Sequence, residues 1–144
     1  MNANQILNAL ERERTLLREF RSLSEQQLAL LESENIDAVN QLLDHRGDLM
    51  LELSAVEATL GTWIDQIRND PTISNAMLQE LRSINDDIVQ LANQVVEIDE
   101  QSHWRLDLIK SRSRAELETL NKGTTALRAY KRGYGMDPTM QCYS

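Results

Sequence analysis

Three segments of the chain carry apolar residues at helical spacing, and short polar breaks separate them. In the first segment, residues 3–32, apolar positions recur every three or four residues, which is typical of one face of a helix. The break at residues 33–37, SENID, contains Ser33 and Asn35, two residue types that favour the N-cap of a following helix. The apolar face comprises Ile6, Leu10, Leu17, Phe20, Leu28 and Leu31, and Leu7, Leu16, Leu23 and Leu30 widen it.

The second segment predicts one helix over residues 36–68. Its apolar positions alternate in steps of three and four, which is the spacing of a coiled-coil seam. Arg46 is the one polar residue on that seam. Gly47 and Gly61 weaken the helix by about 1 kcal/mol each relative to alanine. The seam positions are Val39, Leu42, Arg46, Leu49, Leu53, Val56, Leu60, Trp63 and Ile67.

The third segment predicts a long helix over residues 75–130. The break at residues 68–74, RNDPTIS, precedes it, and its Asp-Pro pair indicates either a cap or a turn. The first seam of this helix contains Met77, Leu81, Ile84, Ile88, Leu91, Val95 and Ile98. It fades over residues 99–105 and resumes, shifted in phase, at Leu106, Ile109, Leu117, Leu120 and Leu127. The helix is therefore expected either to bend near residues 99–105 or to continue as one element longer than the other two.

Together these patterns predict an all-α fold, an antiparallel bundle of long helices built on a coiled-coil hairpin. A hairpin turn is expected near residues 33–36 and a second turn at residues 69–74. We expect one helical domain over residues 1–132 with an extended last helix that ends between Lys122 and Arg132. The segment 133–144 differs in composition, because glycine and tyrosine replace the leucine-rich pattern. It is expected to be a flexible tail.

Charge is distributed unevenly along the chain, whose formal net charge is −8. Residues 23–104 hold 3 basic and 16 acidic side chains, whereas residues 105–132 hold 8 basic and 3 acidic side chains. The acidic balance argues against nucleic acid as a partner, because phosphate binding relies on clustered lysine and arginine. Two explanations of the asymmetry remain open. Oppositely charged helix faces neutralise each other within the fold, or the basic segment meets an acidic partner.

Targeting signals and membrane spans are not predicted. The first residues, MNANQILNALERER, lack the basic and apolar regions of a signal peptide. The longest apolar run covers residues 28–31, far fewer than the roughly 20 residues that a membrane span needs. The single cysteine, Cys142, excludes an intramolecular disulfide and fits a reducing compartment. A cytoplasmic location without direct membrane insertion is expected.

No catalytic or metal-binding constellation is evident in the sequence. His45 and His103 are the two histidines, and they are too far apart along the chain to suggest a metal site. Asp99 lies four residues before His103, and this pair is expected to be an ordinary surface ion pair. We therefore predict a protein that is not an enzyme and needs no cofactor, and whose function is to bind another protein.

The order of these elements resembles the flagellar type III export chaperones of the FlgN and FliT kind. Residues 30–53, LLESENIDAVNQLLDHRGDLMLEL, are similar to the first helical hairpin of those chaperones. Residues 105–130, RLDLIKSRSRAELETLNKGTTALRAY, resemble the end of their long helix. Residues 134–137, YGMD, are similar to a Tyr-Gly-x-Asp element that follows the helix in some FlgN chaperones, although Pro138 stands where a glycine often follows. FlgN is the preferred kind, and FliT remains open.

The resemblance implies a mechanism and a set of partners. Chaperones of this kind bind the helical C-terminal region of late export substrates, which are hook-associated proteins for FlgN and the filament cap protein for FliT. They prevent premature assembly and deliver the substrate to the cytoplasmic domain of a membrane protein of the export gate. Here the candidate cargo-binding residues are Leu106, Ile109, Leu117, Leu120 and Leu127, and the candidate gate-docking residues are Tyr130, Lys131, Arg132 and Tyr134.

Other roles for these residues remain open at the level of the sequence. The apolar positions can pack inside the bundle of this chain or in a weak homodimer, and the tyrosines can belong to a tail that folds back or stays disordered. A different class of function, a structural coiled-coil spacer or assembly factor without a role in export, also fits long acidic helices. Mass in solution separates the two classes, because a spacer forms a stable oligomer and a chaperone forms a 1:1 complex with its cargo.

Overall fold

Long α-helices make up almost all of the backbone between residues 1 and 133. The computed structural model describes the backbone of residues 1–133 and the side chains of residues 1–123, 125 and 127. Four helices follow one another: α1 (Ala3–Glu32), α2 (Ile36–Leu60), α3 (Trp63–Arg68) and α4 (Asn75–Gly133). No β-strand occurs within residues 1–133. The all-α prediction, with its hairpin of long helices, is confirmed.

Side-chain caps fix where the three long helices α1, α2 and α4 begin. At the start of α1, Asn2 accepts a hydrogen bond from the Gln5 backbone N–H at 2.9 Å, and the Gln5 side chain accepts one from the Asn2 backbone N–H at 2.9 Å. Asn35 accepts from the Ala38 N–H at 3.3 Å at the start of α2. Ser74 accepts from the Met77 N–H at 3.1 Å before α4. Each cap satisfies a backbone donor that the first turn of a helix leaves without a partner.

The structure divides the second predicted helix in two. The sequence pattern predicts one helix over residues 36–68, but α2 ends at Leu60 and the short helix α3 begins at Trp63. Gly61 adopts a positive φ of 51°, a conformation that costs glycine little and other residues more. Its N–H still bonds the Glu57 carbonyl at 3.0 Å and so closes the last turn of α2. The expectation of a continuous helix is corrected at this glycine.

The chain forms two units, Met1–Arg105 and the segment from Leu106 onward. The backbone of α4 stays α-helical through residues 99–105 and beyond Gly123. It ends at Gly133, one residue past the predicted range, and this is the only residue of the expected tail that the structure describes. The single domain expected over residues 1–132 and the flexibility of the tail stay predictions.

Within the first unit, α1 runs antiparallel to α2 and parallel to α4. Arg14 on α1 donates to Asp87 on α4 at 3.1 Å, and seven residues later Arg21 donates to Gln94 at 2.7 Å. In both pairs the two residues are 73 positions apart, so α1 and α4 run in the same direction, and the contact between them recurs after seven residues. The three-residue link at residues 33–35 reverses the chain between α1 and α2.

Two apolar clusters form the core of this unit. One joins the start of α1 to the end of α2, to α3 and to the start of α4, and contains Ile6, Leu10, Leu60, Ile67, Leu81, Ile84 and Ile88. The other contains Leu16, Phe20, Leu23, Leu49, Leu53 and Val95. All nine seam positions predicted for residues 36–68 are buried or half-buried, and so are the seven predicted for the first part of α4. The seam positions therefore identify the packing faces correctly.

Arg46, the polar residue on the α2 seam, joins all three long helices. Its Nη1 donates to Oε1 of Gln27 on α1, and its Nη2 donates to Oδ2 of Asp99 on α4 at 2.7 Å. Its guanidinium carbon lies 4.5 Å from the centroid of the Phe20 ring, a cation–π distance. Only 13% of the Arg46 side chain is exposed. The bundle therefore contains a charged layer among its apolar layers.

Glu13 is a buried acidic residue on the inner face of α1, where it is 8% exposed. Burial raises the pKa of its carboxyl group above the ordinary value, and the nearby Glu57 carboxylate raises this pKa further. As pH rises, the unfolded chain therefore releases this proton before the folded chain does. The free energy of unfolding therefore falls as pH rises from the unfolded pKa to the folded pKa. The penalty is complete above the folded pKa and absent below the unfolded pKa.

Replacing Glu13 with glutamine should therefore stabilise the protein at neutral pH. We expect the free energy of unfolding to rise by on the order of 1 kcal/mol near pH 7, because the buried charge is removed. The gain should vanish near pH 3, where the carboxyl group is already protonated in both states. Urea unfolding at both pH values measures the difference in the free energy of unfolding. Glu11→Gln, at an exposed position two residues away, is the control. An equal gain at both pH values would assign the effect to packing instead of charge.

Candidate functional site

The second part of α4 carries the apolar residues that the sequence singled out for binding. Leu117, Leu120 and Leu127 are 59%, 68% and 53% exposed, and Leu106 and Ile109 are half-buried. None of the five belongs to either core cluster. Several large apolar side chains exposed together on one helix indicate a surface that binds another molecule. We call these five residues the leucine stripe.

Helical geometry places the leucine stripe on one face. At 3.6 residues per turn, its five positions fall within about 80° of the helix circumference. Ser113 falls within the same sector and fills the gap between Ile109 and Leu117. Leu108, which is 41% exposed, lies at least about 100° away from this sector. The stripe is thus a continuous face about six turns long, and Leu108 is an apolar reference position outside it.

Charged residues surround the leucine stripe with a positive excess. Residues 105–132 hold 8 basic and 3 acidic side chains. Of the exposed basic residues, Lys110 and Arg114 lie within about 60° of the stripe, whereas Lys122 lies on the opposite face of α4. Basic side chains beside an apolar face favour a partner helix whose own flanks are acidic or neutral. The surface has the composition expected of a groove or face that accepts an amphipathic helix.

The candidate gate-docking residues lie at the limit of the described structure. The backbone of Tyr130, Lys131 and Arg132 belongs to the last turns of α4, so these residues are helical and precede the predicted tail. Their side chains, and all of Tyr134, lie outside the described residues. Their role in docking stays a prediction.

The structure also reveals a groove that the sequence did not predict. Leu28 and Glu32 near the end of α1 face Glu97, Glu100 and Trp104 on α4 across an open space of about 760 Å³, and Gln101 and Arg105 complete its lining. Trp104 is 67% exposed. The only sequence signal was a tryptophan in the polar stretch DEQSHWR, where the apolar seam fades. We call this space the Trp104 groove.

Two kinds of site are not found in the part of the chain that the structure describes. No group of three or more histidine, cysteine, aspartate or glutamate side chains is placed to hold a metal ion there. Over the same residues, no helix combines the length and the apolar character needed to cross a bilayer.

Comparison with known proteins assigns the chain to a family. The family model described as FlgN protein matches residues 1–140, which covers nearly the whole chain. The chain belongs to the FlgN family. The resemblance of the helix order to flagellar export chaperones is thereby confirmed, with FlgN as the matching kind. Comparison with curated proteins gives no match, and neither does comparison with solved structures.

Membership of the FlgN family gives the coarse function. FlgN proteins are chaperones of flagellar export and not a family of enzymes, and their partners are flagellar proteins. In this member of the family, the leucine stripe is the predicted cargo surface, and Leu117, Leu120 and Leu127 in it are each more than half exposed.

Proposed function

We propose that this protein is a cytoplasmic chaperone that binds the helical C-terminal region of a hook-associated protein through the leucine stripe. The observation that carries the proposal is the row of exposed leucines on α4, in a chain that belongs to the FlgN family. A substrate helix lays its apolar side chains along this row and is thereby kept from assembling before export. FlgN membership favours hook-associated proteins over the filament cap protein as cargo.

The basic residues around the leucine stripe serve recognition. Lys110 and Arg114 attract acidic groups on the substrate helix and orient it during the encounter. Charges exposed in this way affect the rate of association more than the final affinity, because water and salt screen them. The leucines supply most of the binding free energy.

Co-purification with defined substrate segments tests this function. Mixed with the C-terminal segment of a hook-associated protein, the chain should form a 1:1 complex that light scattering coupled to gel filtration resolves. The C-terminal segment of a filament cap protein serves as the comparison and should bind more weakly. A stable oligomer of the chain that binds neither segment would contradict the proposal and support the structural spacer.

We further propose that the end of α4 and the residues after it dock on the cytoplasmic domain of an export-gate membrane protein. Tyr134 and Tyr130 act as aromatic anchors, since tyrosine is favoured at the energetic centre of interfaces. Lys131 and Arg132 steer the approach and contribute little to the final affinity. In this scheme, cargo and gate are held by different parts of the same helix and its extension.

Replacing Tyr134 with alanine should weaken binding to the isolated gate domain about 30-fold. This corresponds to about 2 kcal/mol, a typical loss for a buried aromatic anchor. Loss of Lys131 and Arg132 should have a milder effect that depends on salt. Calorimetric titration measures each variant, with Tyr143→Ala as a matched control that should bind normally. Deletion of residues 130–144 should leave cargo binding intact. Unchanged gate affinity in that deletion would remove this segment from the mechanism.

A further inference from the structure

The Trp104 groove combines an exposed aromatic ring with a rim of carboxylates. It lies entirely within the first unit, and none of its lining residues belongs to the leucine stripe. Trp104 is 67% exposed, the largest exposed fraction among the large apolar residues of the first unit after Leu51. Leu28 contributes a second apolar side chain from α1. A tryptophan left this open to water on a packed bundle indicates a surface that another molecule covers.

The electrostatics of the groove select the partner. Glu32, Glu97 and Glu100 line it together with a single cation, Arg105. In the part of the chain that the structure describes, none of the three carboxylates takes part in an ion pair. Their charges therefore remain available to a ligand. Phosphate-bearing ligands such as nucleic acids or anionic membranes are disfavoured, because the excess negative charge repels them.

We propose that the Trp104 groove binds a partner protein helix that presents an arginine beside apolar side chains. The guanidinium group stacks on the Trp104 ring and donates hydrogen bonds to the carboxylates of Glu97 and Glu100. The apolar side chains of the helix contact Leu28. The groove is a second docking surface, separate from the leucine stripe.

Arginine fits this groove better than lysine. Its planar guanidinium stacks on an indole ring while its N–H groups point outward in a fork that matches carboxylates. Glu97 and Glu100 are three residues apart and are therefore neighbours on one face of α4. Trp104 follows Glu100 by four residues and lies on the same face, one turn further along. A cation on the ring is thus close to two acidic side chains of the same helix.

A second copy of the same surface is a poor occupant. Residues 23–104, which contribute most of the groove, hold 3 basic and 16 acidic side chains. Two such surfaces brought together would repel each other. Charge complementarity therefore points to a basic segment of another protein.

The test uses the full-length chain and two synthetic peptides of about 16 residues, long enough to form a helix. Both have the same alanine- and leucine-based amphipathic sequence, with arginine in one and glutamine in the other at two positions beside the leucine row. Nuclear magnetic resonance follows the indole N–H signals of the protein. The arginine peptide should shift the Trp104 signal and leave that of Trp63 unchanged. The glutamine peptide should bind at least about tenfold more weakly.

Variants separate the groove from general attraction to an acidic protein. Glu97→Gln with Glu100→Gln should weaken the arginine peptide about tenfold, and Trp104→Leu about fivefold. The matched control is Glu80→Gln, which removes an exposed carboxylate of α4 outside the groove. Binding should also weaken when the ionic strength is raised to about 0.3 M.

Three outcomes would overturn the proposal. Equal binding of the two peptides would show that the groove does not select arginine. An equal loss in the Glu80→Gln control would show attraction to the whole acidic surface. Self-association of the chain without peptide, abolished by Trp104→Leu, would show that a second copy occupies the groove. None of these outcomes bears on substrate binding by the leucine stripe.

Discussion

Replacing Ile109 and Leu117 together by aspartate is expected to abolish substrate binding while helical content stays unchanged. Each aspartate places a charge on the leucine stripe, where a substrate helix would have to bury it. Loss of two apolar anchors at about 2 kcal/mol each corresponds to roughly a thousandfold loss of affinity. Calorimetry with the C-terminal segment of a hook-associated protein measures the affinity, and circular dichroism measures the helical content.

Leu108→Asp is the matched control for this experiment. Leu108 lies on the same helix and is 41% exposed, but it falls outside the stripe. Its replacement should leave the affinity within about threefold of the parent chain. A collapse of helicity in the double variant would show that the two residues belong to a packed core. An equal loss of affinity in Leu108→Asp would show that the substrate does not recognise the stripe as a face.

Removing the Arg46 side chain is expected to destabilise the bundle more than any other single truncation of a charged residue in the first unit. Arg46→Ala leaves the partly buried Asp99 carboxylate without its cation and also removes the contact with the Phe20 ring. Breaking a buried ion pair typically costs about 3–5 kcal/mol, and the 36% exposure of Asp99 lowers our expectation to about 2–4 kcal/mol. The Tm should fall by about 10 °C.

Arg12→Ala provides the comparison for Arg46. Arg12 also reaches a carboxylate at 2.7 Å, that of Glu52, but both side chains are more than half exposed. This loss should cost less than about 0.5 kcal/mol, because water replaces the partner. The double variant Arg46→Leu with Asp99→Asn should recover much of the stability, since no uncompensated charge remains. Equal losses in Arg46→Ala and Arg12→Ala would show that the charged layer is not a structural element.

Periodicity was sufficient to predict the packing faces of the long helices. The side chains of a helix recur every 3.6 residues, so apolar positions spaced by three and four residues fall on one side regardless of the partner. Residues such as Leu49, Leu53, Leu91 and Val95 were assigned to the core in this way, and all are buried. The turns at residues 33–35 and 69–74 followed from cap and proline signals that act locally.

The same periodicity concealed the break after α2. Trp63 and Ile67 continue the seam of α2 in steps of three and four, so the pattern reads as unbroken across Gly61. A glycine permits a positive φ but does not require it. The conformation at Gly61 depends on how α3 packs against α1 and α4 through Ile67, which is a tertiary contact.

Spacing along the chain was enough to specify the helical fold, the faces that pack and the residues of the leucine stripe, because each of these depends on local periodicity. Which faces stay exposed, and which residues meet across helices, depends instead on how the helices pack. The spacing of the leucine stripe fits a buried core face equally well, and the exposure of Leu117, Leu120 and Leu127 is seen only in the folded structure. The Trp104 groove joins Leu28 and Trp104, which are distant in sequence, and no local pattern encodes such a meeting. It arises because α1 ends beside residues 97–105 of α4, and that alignment is set by the packing of whole helices.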